Sequence, residues 1–304
     1  MKAPERRLDA SFLLYLTPFL WGATFPAAKL GIETAGIPAF MAWTRVIGFL
    51  TILAAIPLVA RRDLRWTELR KVLAPGLLLG AFIFVAYILQ TEGLARTTAT
   101  NAGFITGLYV VFVPIFGLAL FRQPAGRVVW VAVALSVLGL ALLSVPALDR
   151  LQPRFGDLLV LGSAVAWAAH VVAVGRLAGR HPSSLLSLAQ MGAAGLLHTF
   201  LAFGTTGLRP GAAADVWHLL IVTGVLGSGL AYTLQVLVQR QMTAARAVVI
   251  LAGESVASAA FSAVWLGERL LFHQWTGALI VLVAMALSEL SARRAARFDP
   301  AAVP

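Results

Sequence analysis

The chain contains no cysteine, and charged residues make up only 12% of its 304 positions. Without cysteine it cannot be a small secreted domain held together by disulfide bonds. Soluble domains carry about 25% charged residues, so an ordinary cytosolic globular protein is excluded as well. Hydrophobic residues make up 60% of the chain, which excludes a disordered protein. This composition is typical of a helical membrane protein with several spans.

Signals for an enzyme, a cofactor or a nucleic-acid partner are also missing. There is no phosphate-binding GxxxxGK[ST] loop, so ATP does not drive this chain directly. The five histidines are scattered without ligand spacing, and we therefore expect no metal site and no cofactor. The net charge of +11 comes from basic residues that lie between apolar runs rather than along one face. We expect neither an enzyme nor a nucleic-acid partner.

Long apolar stretches recur along the whole chain. A helix needs about 20 apolar residues to cross a bilayer. Ten stretches qualify, and we expect an all-α membrane protein whose ten transmembrane helices lie in the lipid bilayer. Their approximate limits are 11–31, 38–60, 72–94, 98–121, 128–147, 156–176, 184–204, 217–239, 244–266 and 273–292.

The distribution of lysine and arginine sets the orientation. With the N-terminus placed inside, the inner segments hold 17 basic residues and the outer segments hold 6. Cytoplasmic loops of membrane proteins collect basic residues. We therefore expect both termini in the cytoplasm.

The sequence repeats once. At a shift of 145 residues, Tyr87 and Gln90 align with Tyr232 and Gln235, and at a shift of 146 Trp21 aligns with Trp167. Each half then holds five spans, and an odd number predicts that the second half is inverted in the membrane. Inverted repeats around a central cavity are typical of secondary transporters.

Polar side chains inside apolar spans must face protein or a water-filled cavity. Those of spans 1, 3, 4, 6, 8 and 9 recur at helical spacing, although Thr106 of span 4 departs from its stripe. We place these six spans around the cavity and spans 2, 5 and 10 outside as scaffold; span 7 stays open. Each type of side chain has a structural alternative. Ser and Thr can bond their own helix backbone, Trp and Tyr can be interfacial anchors, His170 can be a core histidine bonded to a carbonyl, and Gln90 and Gln235 can bridge helices. The candidate substrate-binding residues are Trp21, Thr24, Tyr87, Gln90, Asn101, Tyr109, Trp167, His170, Tyr232, Gln235 and Glu254.

Glu254 is the carboxylate nearest the middle of a span, where a charge costs at least about 2.5–3.5 kcal/mol on insertion scales. One hypothesis makes it a proton carrier or a partner for a substrate amine. The other makes it part of an ion pair that holds the bundle together, either with Arg45, the lone charge within span 2, or with another helix. Arg45 itself is expected to be structural.

Several motifs resemble those of a known family. They are FLWGATF at 19–25, TATNAGF at 98–104, LYVVFVP at 108–114, GERL at 267–270 and QWTGA at 274–278. Together they resemble the EamA-type branch of the drug/metabolite transporter superfamily. The resemblance implies two inverted five-span repeats, residues 1–152 and 153–304, and export across a bacterial inner membrane. Members of the family carry amino acids, other metabolites or drugs.

We expect a secondary transporter that exports small amphipathic metabolites, with amino acids as the favoured class and the proton as a candidate coupling ion. Aromatic rings beside amide and hydroxyl groups suit an apolar side chain and a polar backbone. Without a cluster of basic residues, a phosphorylated sugar fits less well. Two alternatives stay open: a multidrug exporter that uses the same aromatics and Glu254 for cations, and a lipid flippase or non-transporting membrane scaffold.

Overall fold

The computed structural model describes residues 11–59, 65–144, 155–267 and 269–298, and within these segments there is no β-strand. Glu268 of the GERL motif lies outside the described residues, as do some of the basic residues counted for the orientation: Lys2, Arg6, Arg7, Arg61, Arg62, Arg150 and Arg154. The first half contains α1 (Ser11–Ala35), α2 (Ile37–Val59), α3 (Trp66–Leu94), α4 (Ala99–Gly107), α5 (Tyr109–Phe121) and α6 (Arg127–Ser144). The second half contains α7 (Phe155–Leu177), α8 (Ser183–Gly204), α9 (Pro210–Asp215), α10 (Trp217–Leu220), a π-helical segment (Ile221–Ala231), α11 (Tyr232–Gln239), α12 (Ala244–Leu251), α13 (Gly253–Trp265) and α14 (Phe272–Phe298).

Helical structure occupies each of the ten predicted stretches. In the described part of the chain, eight helical runs are long and apolar enough to cross a membrane. The eight leave out α1, which is 25 residues long, and α6, which qualifies only as a shorter apolar helix. The eight runs are Ile37–Leu58, Trp66–Leu94, Ala99–Phe121, Phe155–Leu177, Ser183–Gly204, Trp217–Gln239, Ala244–Trp265 and Phe272–Ser291.

Helix ends repeat at the spacing seen in the sequence. Thr98 caps α4 and Thr243 caps α12, and each side-chain oxygen accepts a hydrogen bond from the backbone N–H three residues on. Arg122 after α5 and Gly267 after α13 both have a positive φ, of 52° and 68°. Both pairs are 145 residues apart in the chain. The repeat thus extends to helix caps and turns.

Three of the predicted spans are interrupted. Leu108 separates α4 from α5, and Ala252 separates α12 from α13. The third interruption is the π-helical segment, an uncommon geometry that occurs frequently at functional sites. Its glycines allow close packing, because a Cβ added at Gly227 would lie 2.5 Å from Cγ2 of Thr24.

Helices of the two halves pack against one another in matching pairs. The packing of α3 against α8 is repeated by the packing of the π-helical segment against α2. The packing of α1 against α13 is repeated by the packing of α7 against both α4 and α5. In addition, α2 packs on α8 and α6 packs on α14. The buried core therefore lies largely between the halves.

The outer surface of the bundle is apolar. Leu58, Phe200, Val264 and Phe272 are each more than three-quarters exposed. Large contiguous apolar surfaces are rare on soluble monomers. Such a surface suits a bilayer, where lipid tails cover the outward face of each helix.

Candidate functional site

A chamber opens between the two halves and is lined by α1, α3, α4, α5, α7, α11 and α13. It encloses about 370 Å³ of empty space, including the part open to solvent. We call it the central chamber; its lining residues are Trp21, Thr24, Phe25, Tyr87, Gln90, Thr106, Tyr109, Trp167, Val171, Tyr232, Gln235 and Glu254.

Four aromatic rings frame the central chamber. Trp21 packs on Tyr232 with ring centroids 5.0 Å apart, and Trp167 packs on Tyr87 with centroids 4.9 Å apart. The Tyr232 hydroxyl donates to the Tyr87 hydroxyl at 3.2 Å. The Trp21 indole N–H donates to the backbone oxygen of Gly227 in the π-helical segment at 3.1 Å. The frame is thus fixed by hydrogen bonds and edge contacts.

Two repeat-related glutamines line the chamber differently. Gln90 donates through Nε2 to Thr106 Oγ1 at 3.0 Å. Gln235 is fully buried, yet neither its amide nitrogen nor its amide oxygen has a hydrogen-bond partner. A buried amide without partners is costly. Gln235 is therefore free to bind a polar group that enters the chamber.

Glu254 supplies the carboxyl group of the central chamber. It is the second residue of α13 and only 5% exposed, and Tyr109, its repeat partner, is the first residue of α5. The start of a helix favours a negative charge through its backbone dipole. The Tyr109 hydroxyl lines the same chamber and lies beside the Glu254 carboxyl group.

Arg45 lines a second chamber, which adjoins the first. Thr24, Phe25, Tyr87 and Gln90 contribute to both chambers. We call the second one the Arg45 chamber; its remaining lining residues are Ala28, Phe40, Met41, Thr91, Leu94 and Thr223. The chamber has a similar volume of about 370 Å³.

The ion pair that was considered between Glu254 and Arg45 is not formed. The ion pairs shown by the described residues join Lys71 to Glu68, Arg96 to Glu92 and Arg246 to Glu289. Glu254 belongs to the central chamber, and Arg45 instead contacts Ser228, Met41 and the Tyr87 ring. The Arg45 guanidinium and the Glu254 carboxyl group therefore do not neutralise each other.

Nine of the eleven predicted site residues line the central chamber. Asn101 does not, because it lies in the first turn of α4, where its backbone N–H is held by the Thr98 cap. His170 lies behind the frame; its ring contacts Trp167 and Tyr232, and its Nε2 is 3.0 Å from Gln190 Oε1.

Some lining residues were not among the predicted ones. Thr106 faces the central chamber although it lies away from Asn101 on span 4, since it is three residues from Tyr109, which lines the same chamber. Phe25 and Val171 gave no signal, because apolar residues are ordinary in a span. Span 2 was placed outside as scaffold, but Arg45 brings α2 to the second chamber. A lone charge in an apolar span was the signal for it.

No three His, Asp or Glu side chains of the described segments come together as a metal site would require. The chambers instead offer aromatic faces, amides, hydroxyls and two separate charges. Such a lining suits reversible binding of a small molecule that has both apolar and polar parts.

A family comparison agrees with this architecture. The model of the EamA-like transporter family matches twice, over residues 9–145 and 154–290. The chain belongs to the EamA-like transporter family. The resemblance deduced from the sequence motifs is therefore confirmed. With its apolar helices, this EamA-like protein is a multi-pass membrane transporter.

Individual relatives are similar over nearly the whole EamA-like chain. An uncharacterized transporter of Archaeoglobus fulgidus is 29% identical over 286 residues, which cover 94% of this chain and 87% of the relative. A protein known from a crystal structure superposes with a TM-score of 0.73 at 20% identity, covering 95% of this chain and 99% of the other. The structural match bears on the fold, and the family and the relative indicate a transporter rather than an enzyme.

Proposed function

We propose that the protein is a secondary transporter that exports small amphipathic metabolites, with amino acids as the favoured class, by alternating access. The observation that carries the proposal is the central chamber between the two halves. Its four-ring aromatic frame surrounds the unpartnered amide of Gln235 and the carboxyl group of Glu254. An apolar side chain packs against the rings, while the amide and carboxyl bind the polar backbone of an amino acid.

The proposed architecture is ten spans in two inverted five-helix repeats. Repeated caps at Thr98 and Thr243 and the matching helix pairs between the halves support it. The two Trp–Tyr pairs of the frame support it as well, since each crosses between the halves and the Trp21–Tyr232 pair is the repeat equivalent of the Trp167–Tyr87 pair. In this arrangement the substrate site lies at the interface of the repeats.

The proposed location is the bacterial inner membrane, with both termini in the cytoplasm. The bias of basic residues supports this orientation. Reporter fusions at Asp63 and Asp149, which both lie outside the described residues, test it. We expect the Asp63 fusion to report the cytoplasmic side and the Asp149 fusion the opposite side. The same side for both would contradict the topology.

The decisive transport experiment uses the full-length protein in liposomes. Counterflow of leucine, phenylalanine and threonine is measured beside that of a cationic dye. We expect amino-acid counterflow, and we expect it to fall several-fold in Trp21→Ala and Trp167→Ala, which remove walls of the chamber. Trp217→Ala is the matched control, because Trp217 is exposed on the outer surface. Equal rates for all three variants would mean that the frame only packs the bundle.

A multidrug exporter is the second candidate, because Glu254 and the aromatic frame also suit an organic cation. Arg45 weighs against it, since its positive charge lies beside a ring that lines both chambers. Transport of the dye without transport of amino acids would favour this candidate. Lipid scrambling without transport of either would favour a flippase, and none of these activities would favour a scaffold.

A further inference from the structure

Arg45 carries a buried charge without an anionic partner. It lies within the apolar run Ile37–Leu58 and is 2% exposed. A guanidinium group at such a position is unfavourable unless a counter-charge or water compensates it. The ion pairs of the described residues leave it out. A buried charge of this kind within a span indicates a functional role rather than a structural one.

The contacts of Arg45 orient the guanidinium without neutralising it. One terminal nitrogen donates to Ser228 Oγ at 2.6 Å, and the other is 3.6 Å from Met41 Sδ. The guanidinium carbon lies 3.6 Å from the centre of the Tyr87 ring, a cation–π distance. All three partners are uncharged, and Nε has no partner. The side chain is therefore held in place without a counter-charge.

The position of this charge relates it to the candidate substrate site. Arg45 lines its own chamber, which shares Tyr87 and Gln90 with the central chamber, and Glu254 lines the central chamber. Neither charge is repeated, because Met191 stands at the position equivalent to Arg45 and Tyr109 at that of Glu254. The joined chambers therefore have one cationic and one acidic part.

We propose that Arg45 is a carboxylate subsite, and that the substrate is bound as a zwitterionic α-amino acid. The guanidinium binds the carboxylate of the substrate, and Glu254 faces its ammonium group. The apolar side chain of the substrate packs on the aromatic frame. Planar guanidinium groups bind carboxylates through two parallel hydrogen bonds, which lysine cannot reproduce. This inference rests on the proposed transport of amino acids and assigns its binding groups.

The test compares three probes that share one side chain: leucine, leucinamide, which lacks the carboxylate, and 4-methylpentanoate, which lacks the amine. Binding to the purified full-length protein is measured by titration calorimetry. We expect leucine to bind at least about tenfold tighter than either analogue, as loss of a charge-assisted hydrogen bond requires. Arg45→Gln should abolish the preference over leucinamide and retain the preference over 4-methylpentanoate. Glu254→Gln should do the reverse.

Arg176→Gln is the matched control. Arg176 also stacks on an aromatic ring, at 4.3 Å from the Phe121 centroid, and it lines neither chamber. Both preferences should persist in this variant. Two further variants protect the test against misfolding of Arg45→Gln. Arg45→Lys keeps the charge and Ser228→Ala removes the 2.6 Å hydrogen bond, and each should weaken the preference over leucinamide part of the way.

The outcomes separate this inference from the proposed function. An unchanged preference over leucinamide in Arg45→Gln, or in both Arg45→Lys and Ser228→Ala, overturns the subsite while amino-acid binding stands. If the wild type binds 4-methylpentanoate but not leucine, and Arg45→Gln abolishes that binding, the carboxylate subsite holds and amino acids are the wrong class. If the wild type binds neither leucine nor 4-methylpentanoate, both the carboxylate subsite and the proposed transport of amino acids are overturned.

Discussion

The hydroxyl groups of Tyr87 and Tyr232 meet at 3.2 Å, although the two residues are 145 positions apart. That separation is the shift of the internal repeat, so each tyrosine contacts its own counterpart from the other half. In the proposed inverted-repeat arrangement, a residue can touch its repeat equivalent only where the axis relating the two halves passes between them. The proposal therefore places this axis at the tyrosine pair, and each tyrosine packs on a tryptophan of the opposite half.

The tyrosine pair predicts a coupled effect on stability. Tyr232→Phe and Tyr87→Phe should each lower the free energy of unfolding by about 0.5–1.5 kcal/mol, because each removes one partner of a mostly buried hydrogen bond. The double variant should lose little more than either single variant. Thermal unfolding of the three variants in one detergent measures the coupling. Strictly additive losses would mean that the hydroxyls act independently.

Glu254→Gln should fold with nearly unchanged stability, because no arginine or lysine partner is left uncompensated. If the carboxyl group carries the coupling proton, this variant should still exchange substrate across the membrane at saturating concentration, although it binds the ammonium group more weakly. It should lose transport driven by a pH gradient, since an amide cannot release a proton. Counterflow and gradient-driven uptake in the same liposomes separate the two activities.

Glu92→Gln is the control for this experiment, because Glu92 lines neither chamber, lies half-buried near the end of α3 and pairs with Arg96. It should support gradient-driven transport like the wild type. Normal gradient-driven transport by Glu254→Gln would instead exclude the carboxyl group as proton carrier.

The ion pair between Arg246 of α12 and Glu289 of α14 predicts a large stability effect. The side chains are 19% and 7% exposed, and their nearest atoms are 2.5 Å apart. Glu289→Gln should cost about 1–3 kcal/mol, because it leaves the partly buried guanidinium of Arg246 without its carboxylate. Adding Arg246→Met should restore much of the thermal stability. A double variant no more stable than Glu289→Gln would contradict this account.

Helices α6 and α14 are in close backbone contact at Gly139 and Gly277. A Cβ added at Gly139 would lie 2.6 Å from the backbone oxygen of Gly277. Gly139→Ala should therefore lower stability by about 1–3 kcal/mol through overpacking. Gly126→Ala is the matched control, since nothing lies within 4 Å of its added Cβ. An equal unfolding temperature for both variants would show that the two helices separate at no cost.

The sequence predicts the positions of the helices well, because links that contain proline, glycine or charged residues fall between the apolar runs. Arg122-Gln123-Pro124 ends one span and Gly179-Arg180-His181-Pro182 separates two others, and helices end at these places in the structure. The interruptions at Leu108 and Ala252 could not be predicted. Both residues are ordinary helix formers inside apolar runs, so neither composition nor period marks the break. The π-helical segment likewise depends on packing against α1 and α2.

The site could be predicted where the polar residue was conspicuous. Trp21, Tyr87, Gln235 and Glu254 stand out in apolar spans, and the structure brings them to one chamber. The contacts of Arg45 could not be predicted, since they depend on which faces of α2 and the π-helical segment meet. Spacing along one helix predicts which residues share a face. It does not predict which other helix packs against that face, because this depends on how the whole bundle folds.

Joining two homologous halves in one polypeptide frees the cavity from the rule that governs a homodimer. In a symmetric pair of identical chains every group occurs twice across the axis. Two copies of the first half would bring two guanidinium groups to the cavity, and two copies of the second would bring two carboxyl groups. Two like charges in one cavity repel each other. In the fused chain, Met191 occupies the repeat position of Arg45, and Tyr109 occupies that of Glu254. The aromatic frame can therefore stay symmetric while the guanidinium and the carboxyl group each occur once.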